Sequence, residues 1–129
     1  MFFPHKWQNQ SEPWELQPVK NGLALEPGVA MAYSGGVLTK ATGATAPTHI
    51  CMEKVENTET GQMIHVERVR PETEYETELS VASASIAVGG KYTIDANGEK
   101  ITATTESGVA TVTSFDGTAA GSKVRVRFA

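Results

Sequence analysis

Residues 71–85, PETEYETELSVASAS, admit two readings, and the choice between them decides the fold. Tyr75, Leu79, Ala82 and Ile86 recur at helical spacing, and Pro71 with the glutamates behind it suits a helix start. The same stretch also alternates strictly, with Glu72, Glu74, Glu76 and Glu78 on one side and Thr73, Tyr75, Thr77 and Leu79 on the other. Threonine, tyrosine and valine fit a pleated, half-buried surface better than a helix. We read the segment as a strand, which leaves no long helix demanded anywhere in the chain.

The neighbouring sequence agrees. Val29–Tyr33 and Val37–Lys40 read as strands around the turn Ser34-Gly35-Gly36, and ATGATAP at 41–47 as a surface loop. His49–Val55 and Met63–Val69 are the next strands, separated by a polar turn over 56–61. Lys91–Ile94 and Ile101–Thr105 flank Asp95-Ala96-Asn97-Gly98-Glu99, whose Asn-Gly pair supplies positive φ cheaply and marks a hairpin. Val109–Phe115 and Lys123–Phe128 complete the set. Short strands at this spacing predict an all-β domain, a sandwich or a small barrel.

The first nineteen residues, MFFPHKWQNQSEPWELQPV, have a different texture. They hold both tryptophans and three of the six prolines, with no glycine. Prolines at this density give up ladder hydrogen bonds and steer their neighbours away from helix. The segment reads as an extended arm over 1–19, attached to a single all-β domain over 20–129 that is expected to fold without it. Phe2, Phe3, Trp7 and Trp14 each carry ~150–250 Å² of surface that favours leaving water. They are expected to lie on their own domain, on a neighbouring copy or on another protein, as binding-arm anchors.

Two charged stripes follow from strand periodicity. Glu72, Glu74, Glu76 and Glu78 share one face, and Lys123, Arg125 and Arg127 share one face of the last strand. Like charges about 7 Å apart along a strand repel one another unless water or a cation compensates. Three arrangements meet that condition: solvated faces, a cross-strand pairing within one subunit, or a pairing of the stripes between subunits. A calcium site on the glutamates would lack the Asp/Asn/Gly loop that wraps such an ion.

Composition narrows the function. With a net charge of −4 over 129 residues, neither nucleic acid nor an anionic membrane is a favoured partner, and no apolar run approaches a membrane span. The N-terminal stretch lacks the charged and apolar regions of a secretory signal. The single cysteine, Cys51, sits in an apolar trio and reads as a buried thiol, consistent with synthesis in a reducing cytoplasm. His5, His49 and His65 have no zinc spacing; His5 is expected to face solvent or a partner, and the other two to be satisfied structural residues. No nucleophile elbow, phosphate loop or dinucleotide fingerprint is present. Asp95 and Asp116 fall in turns that explain them. The expectation is a protein without catalysis, cofactor or metal.

From Gly28 onward the chain resembles the small all-β capsid decoration proteins of tailed bacteriophages, also called cement or auxiliary head proteins. The stretches that carry the resemblance are EPGVAMAYSGGVLTKATG at 26–43, RPETEYETELS at 70–80, IAVGGKYTIDANGEKITATTESGVATVTSFDG at 86–117 and the terminal GSKVRVRF at 121–128. The resemblance implies a β-barrel or β-tulip-like domain that assembles as a homotrimer on the capsid exterior. It also implies an N-terminal arm running over the major capsid protein or a neighbouring copy. Such proteins act through surfaces, so no individual residue role transfers. Two other readings remain: a tail or baseplate β-module, and a carbohydrate-binding β-sandwich. The last would need exposed aromatics on a sheet face, whereas Tyr33, Tyr75, Tyr92, Phe115 and Phe128 mostly fall at inward positions and both tryptophans lie in the arm.

Overall fold

In a computed structural model, residues 1–6 and 13–129 are described, and among them there is no helix. The strands are β1 (Phe3–Lys6), β2 (Trp14–Pro18), β3 (Ala30–Ser34), β4 (Val37–Lys40), β5 (His49–Cys51), β6 (Met63–Arg68), β7 (Glu74–Glu78), β8 (Lys91–Tyr92), β9 (Ala110–Phe115) and β10 (Lys123–Arg127). They form two five-stranded sheets, one ordered β1-β7-β10-β9-β8 and the other β2-β6-β5-β3-β4, and all pairings between these strands are antiparallel. The sheets do not close into a barrel; the architecture is sandwich-like. The second sheet nevertheless curls, because Val19, just past β2, bridges Leu38 of β4.

The strand reading of 71–85 holds at its centre. In β7, Tyr75 and Thr77 are buried, as is Leu79 just beyond, and their inward face meets Val124 and Val126 of β10. The main core lies between the sheets, with Ala30 and Ile50 from one side against Tyr75, Val112, Val124 and Val126 from the other. A second cluster fills the curl of the second sheet: Val19, Leu25, Val29, Met31, Leu38, Cys51, Ile64 and Val66. Cys51 is fully buried there, and burial pushes its thiol up from the ordinary value.

The Asn97-Gly98 turn forms, with Gly98 at φ 71° and Asp95 accepting hydrogen bonds through Oδ1 from the Glu99 and Lys100 amides at 2.9 and 3.2 Å. Its flanks are shorter than expected. They share only an Ile94–Ile101 bridge as β structure, because Lys91 and Tyr92 pair with Thr111 and Ala110 of β9 instead. The strand expected at His49–Val55 stops at Cys51, and Val55 turns away to bridge Leu25.

The division into an arm and a separate domain is where the fold departs from expectation. β1 is the outer strand beside β7, and β2 is the outer strand beside β6, so the first nineteen residues supply an edge to each sheet. Edge strands are where proline is tolerated, since one flank of the backbone needs no partner. Pro4 and Pro18 therefore sit inside strands, at positions their missing N–H does not disrupt. Phe2 is fully buried, its ring 5.1 Å from that of Phe128 in an edge-to-face arrangement. Its amide donates to the Gly28 carbonyl at 2.7 Å. Gly28 has φ 98°, and a Cβ there would stand 2.7 Å from the Met1 Cβ, so only glycine lets the first residues pass so close.

Candidate functional site

Three surfaces carry chemistry beyond the fold. The first lies on β2 and β6. Trp14 pairs with Glu67, Leu16 with His65 and Pro18 with Met63, so these side chains occupy one face of the second sheet. Glu67 in turn pairs with Ile50, which faces the inter-sheet core. The core-facing side of the sheet thus runs outward past the first sheet and emerges into solvent. There Trp14 is 61% exposed, Leu16 52% and Met63 48%. The indole lies against the His65 ring, 6.4 Å between centroids, and His65 Nδ1 lies 3.5 Å from Glu53.

The second surface is the outer face of the first sheet, where the two charged stripes meet within one chain. Register pairs Lys123 with Glu78 and Arg125 with Glu76. Arg125 Nε donates to Glu76 Oε2 at 3.1 Å, and its other nitrogens reach Asp116 at 2.7 and 3.2 Å. The hydrogen bonds from Arg125 hold the Asp116 carboxyl below its usual range. Lys123 Nζ stands 3.9 Å from Glu78, a looser contact in the open. Glu74 is buried, accepts from the Thr113 hydroxyl, and has His5 Nε2 at 3.6 Å. Glu72 precedes the strand in an exposed turn. Arg127 Nε is buried without a hydrogen-bond partner among the described residues. Of the three arrangements open for the stripes, the cross-strand pairing inside one subunit is the one this geometry contains.

The third surface is the mouth of the curled sheet. Glu15 and Gln17 alternate with Trp14 and Leu16 and so point to the concave side. There Glu15 Oε1 is 2.8 Å from His49 Nε2, and Glu15 Oε2 accepts from Arg68 Nη2 at 3.3 Å. The His49 bond, ahead of Arg68, holds the Glu15 carboxyl below its usual range. His49 Nδ1 is 2.9 Å from the Thr48 hydroxyl. A neutral imidazole that donates from Nε2 to Glu15 accepts the Thr48 proton at Nδ1. The Tyr33 hydroxyl donates to Gln17 Oε1 at 2.7 Å, and its ring stands edge-to-face to His49 at 5.5 Å. In front of this group opens a cleft of about 390 Å³, walled by Tyr33, Pro47, Thr48, His49, Arg68 and Phe128 among others.

The aromatic anchors read from sequence thus separate. Phe2 belongs to the core, Phe3 is 51% exposed on β1, Trp14 is exposed on β2, and Trp7 lies outside the described residues. His49 is satisfied on both ring nitrogens, whereas His65 is exposed. Among the described residues, no group of three or more His, Cys, Asp or Glu could hold a metal ion. Leu16, Met63, Glu15 and Thr48 were not singled out from sequence. The alternation of WELQ at 14–17 is the signal for two of them, though four residues between prolines are too few to tell a strand from an extended arm. No protein-family model matches the chain, and no curated protein matches it.

Proposed function

We propose that this chain is a non-catalytic virion structural protein of the capsid decoration type, which binds the outside of a phage head and stabilises it by bridging copies of the major capsid protein. The observation that carries the reading is the apolar face at the β2 edge of the second sheet, with Trp14 and Leu16 on the outer strand and Met63 on β6 beside it. An outer strand presenting large apolar side chains to solvent invites unwanted pairing unless a partner covers it. Docked aromatics are the usual interface hot spots, with truncation costing ~2 kcal/mol or more. On a lattice of many copies, modest single contacts suffice because linked binding events multiply in effect. The paired charges of β7 and β10 support the same reading, since they stiffen the sheet without occupying the apolar face. Assembly as a homotrimer on the capsid exterior, as the sequence resemblance implies, is part of this proposal.

The test is cosedimentation of the purified protein with expanded capsids that lack it. The expected result is saturable binding that falls at least tenfold in Trp14→Ala, a loss of about 1.4 kcal/mol, with the fold unchanged by far-UV circular dichroism. Failure of the wild type to sediment with capsids, or equal binding by Trp14→Ala, would overturn the proposal.

A further inference from the structure

We propose that the cleft at the mouth of the curled sheet is a carbohydrate site that takes a neutral pyranose ring stacked on Tyr33. By sequence a sugar platform is disfavoured, because the domain aromatics mostly fall at inward positions. Tyr33 does not: it is 49% exposed on β3 and forms one wall of the cleft. Its ring is held in place before any ligand arrives, by the hydroxyl bond to Gln17 and the edge contact with His49. Such preorganisation lowers the ordering cost of binding. An aromatic face offers a flat apolar surface to the C–H face of a sugar, while the sugar hydroxyls need planar donors and acceptors at the rim.

Those groups are present. Gln17, which accepts from the Tyr33 hydroxyl, holds the ring and is not itself part of the cleft wall; Arg68 and Thr48 are. Arg68 spends one N–H on Glu15, and its other N–H groups make no hydrogen bond among the described residues. The Thr48 hydroxyl, oriented by His49, retains acceptor capacity toward the cleft. The volume, about 390 Å³, lies in the size range of small-ligand sites, ~300–1,000 Å³.

Charge decides between a sugar and an anion. Glu15 sits against both Arg68 and His49, so the guanidinium charge is already countered where an incoming carboxylate would need it. An incoming anion finds no uncompensated cation there, whereas a neutral polyol needs only the hydrogen-bonding groups of the wall. This inference does not rest on capsid binding, because the cleft is walled by Tyr33, Thr48, His49 and Arg68 among others and by none of Trp14, Leu16 and Met63.

The test is an amide NMR titration of the full chain with the methyl glycosides of glucose, galactose, mannose and N-acetylglucosamine, and with sodium benzoate as the anionic comparison. The expected result is saturable shifts centred on Tyr33, Thr48 and Arg68 for at least one glycoside, weaker by ~tenfold or more in Tyr33→Ala as the stacking contact is lost. Tyr33→Phe, which keeps the ring and removes the Gln17 bond, should retain binding with a smaller loss, and Trp14→Ala should bind as wild type. The proposal is overturned if no glycoside shifts these amides, if Tyr33→Ala and Tyr33→Phe both bind as wild type, if the shifts centre on Trp14, or if benzoate binds there more tightly than every glycoside.

Discussion

Arg125 Nε lies 3.1 Å from Glu76 Oε2, across adjacent strands of a single chain. The side chain is 19% exposed and also grips Asp116, so it joins β10 to β7 on one side and to the loop after β9 on the other. Exposed pairs contribute ~0–1 kcal/mol, but a partly sheltered guanidinium with two carboxylates sits at the upper end. Arg125→Ala is therefore expected to lower stability by about 1 kcal/mol in urea unfolding. The paired change Arg125→Glu with Glu76→Arg should recover part of the larger loss caused by Arg125→Glu alone. An equal loss in the single and double variants would mean that Asp116, not Glu76, is the partner that matters.

How far the fold was legible follows from where its contacts lie in the sequence. The Thr73–Tyr75–Thr77–Leu79 alternation and the Asn97-Gly98 turn are local patterns; the first produced a strand over its centre and the second its turn, though between flanks that share only one bridge. The pairing of β1 with β7 joins Phe3 to Glu76, and no local pattern announces a partner that distant. The prolines mark an extended segment without saying where it lies; a missing N–H bars inner strands only, and Pro4 stands in an outer one. Trp14 was recognisable because a large aromatic next to proline has no helix to bury it. The Glu15–His49–Thr48 group was not, since it exists only once the curl of the second sheet brings β2 over β5.

Phe2 tests the integration of the first strand. It is fully buried against Phe128 in the main core, so Phe2→Ala removes a whole ring from a packed site. The expected cost is ~3–5 kcal/mol, measured as a lower urea midpoint at unchanged m-value. Phe3→Ala, at a half-exposed position, should change stability by no more than ~0.5 kcal/mol. A chain lacking residues 1–19 should lose cooperative unfolding, because both sheets lose an outer strand and the core loses Phe2.

Gly28 tests the same contact from the other side. Any Cβ there meets Met1 at 2.7 Å and must adopt φ near 98°. Gly28→Ala is expected to cost about 1–3 kcal/mol in thermal or urea unfolding. Gly22→Ala supplies the comparison, since its φ of 79° is also positive but nothing lies within 4 Å. The difference between the two variants reads the close approach of the first residues separately from backbone strain.

Glu15 gives the pH dependence of the second sheet. Its carboxyl is held below the ordinary range by the His49 hydrogen bond first and by Arg68 second. In the unfolded chain neither partner is near, so the unfolded carboxyl binds its proton at a higher pH than the folded one. Between those two values the unfolded state carries more protons, and stability rises with pH. The contribution is therefore fully present above the ordinary carboxylate range and is lost as pH falls through the folded value. Glu15→Gln should cost about 1 kcal/mol near neutral pH, and the gap from wild type should close in acid as the wild-type carboxyl is itself protonated. Urea unfolding of both proteins across the acid range measures the gap directly. A gap that stays constant into strong acid would mean that Glu15 contributes through packing, not through the charge that His49 and Arg68 share.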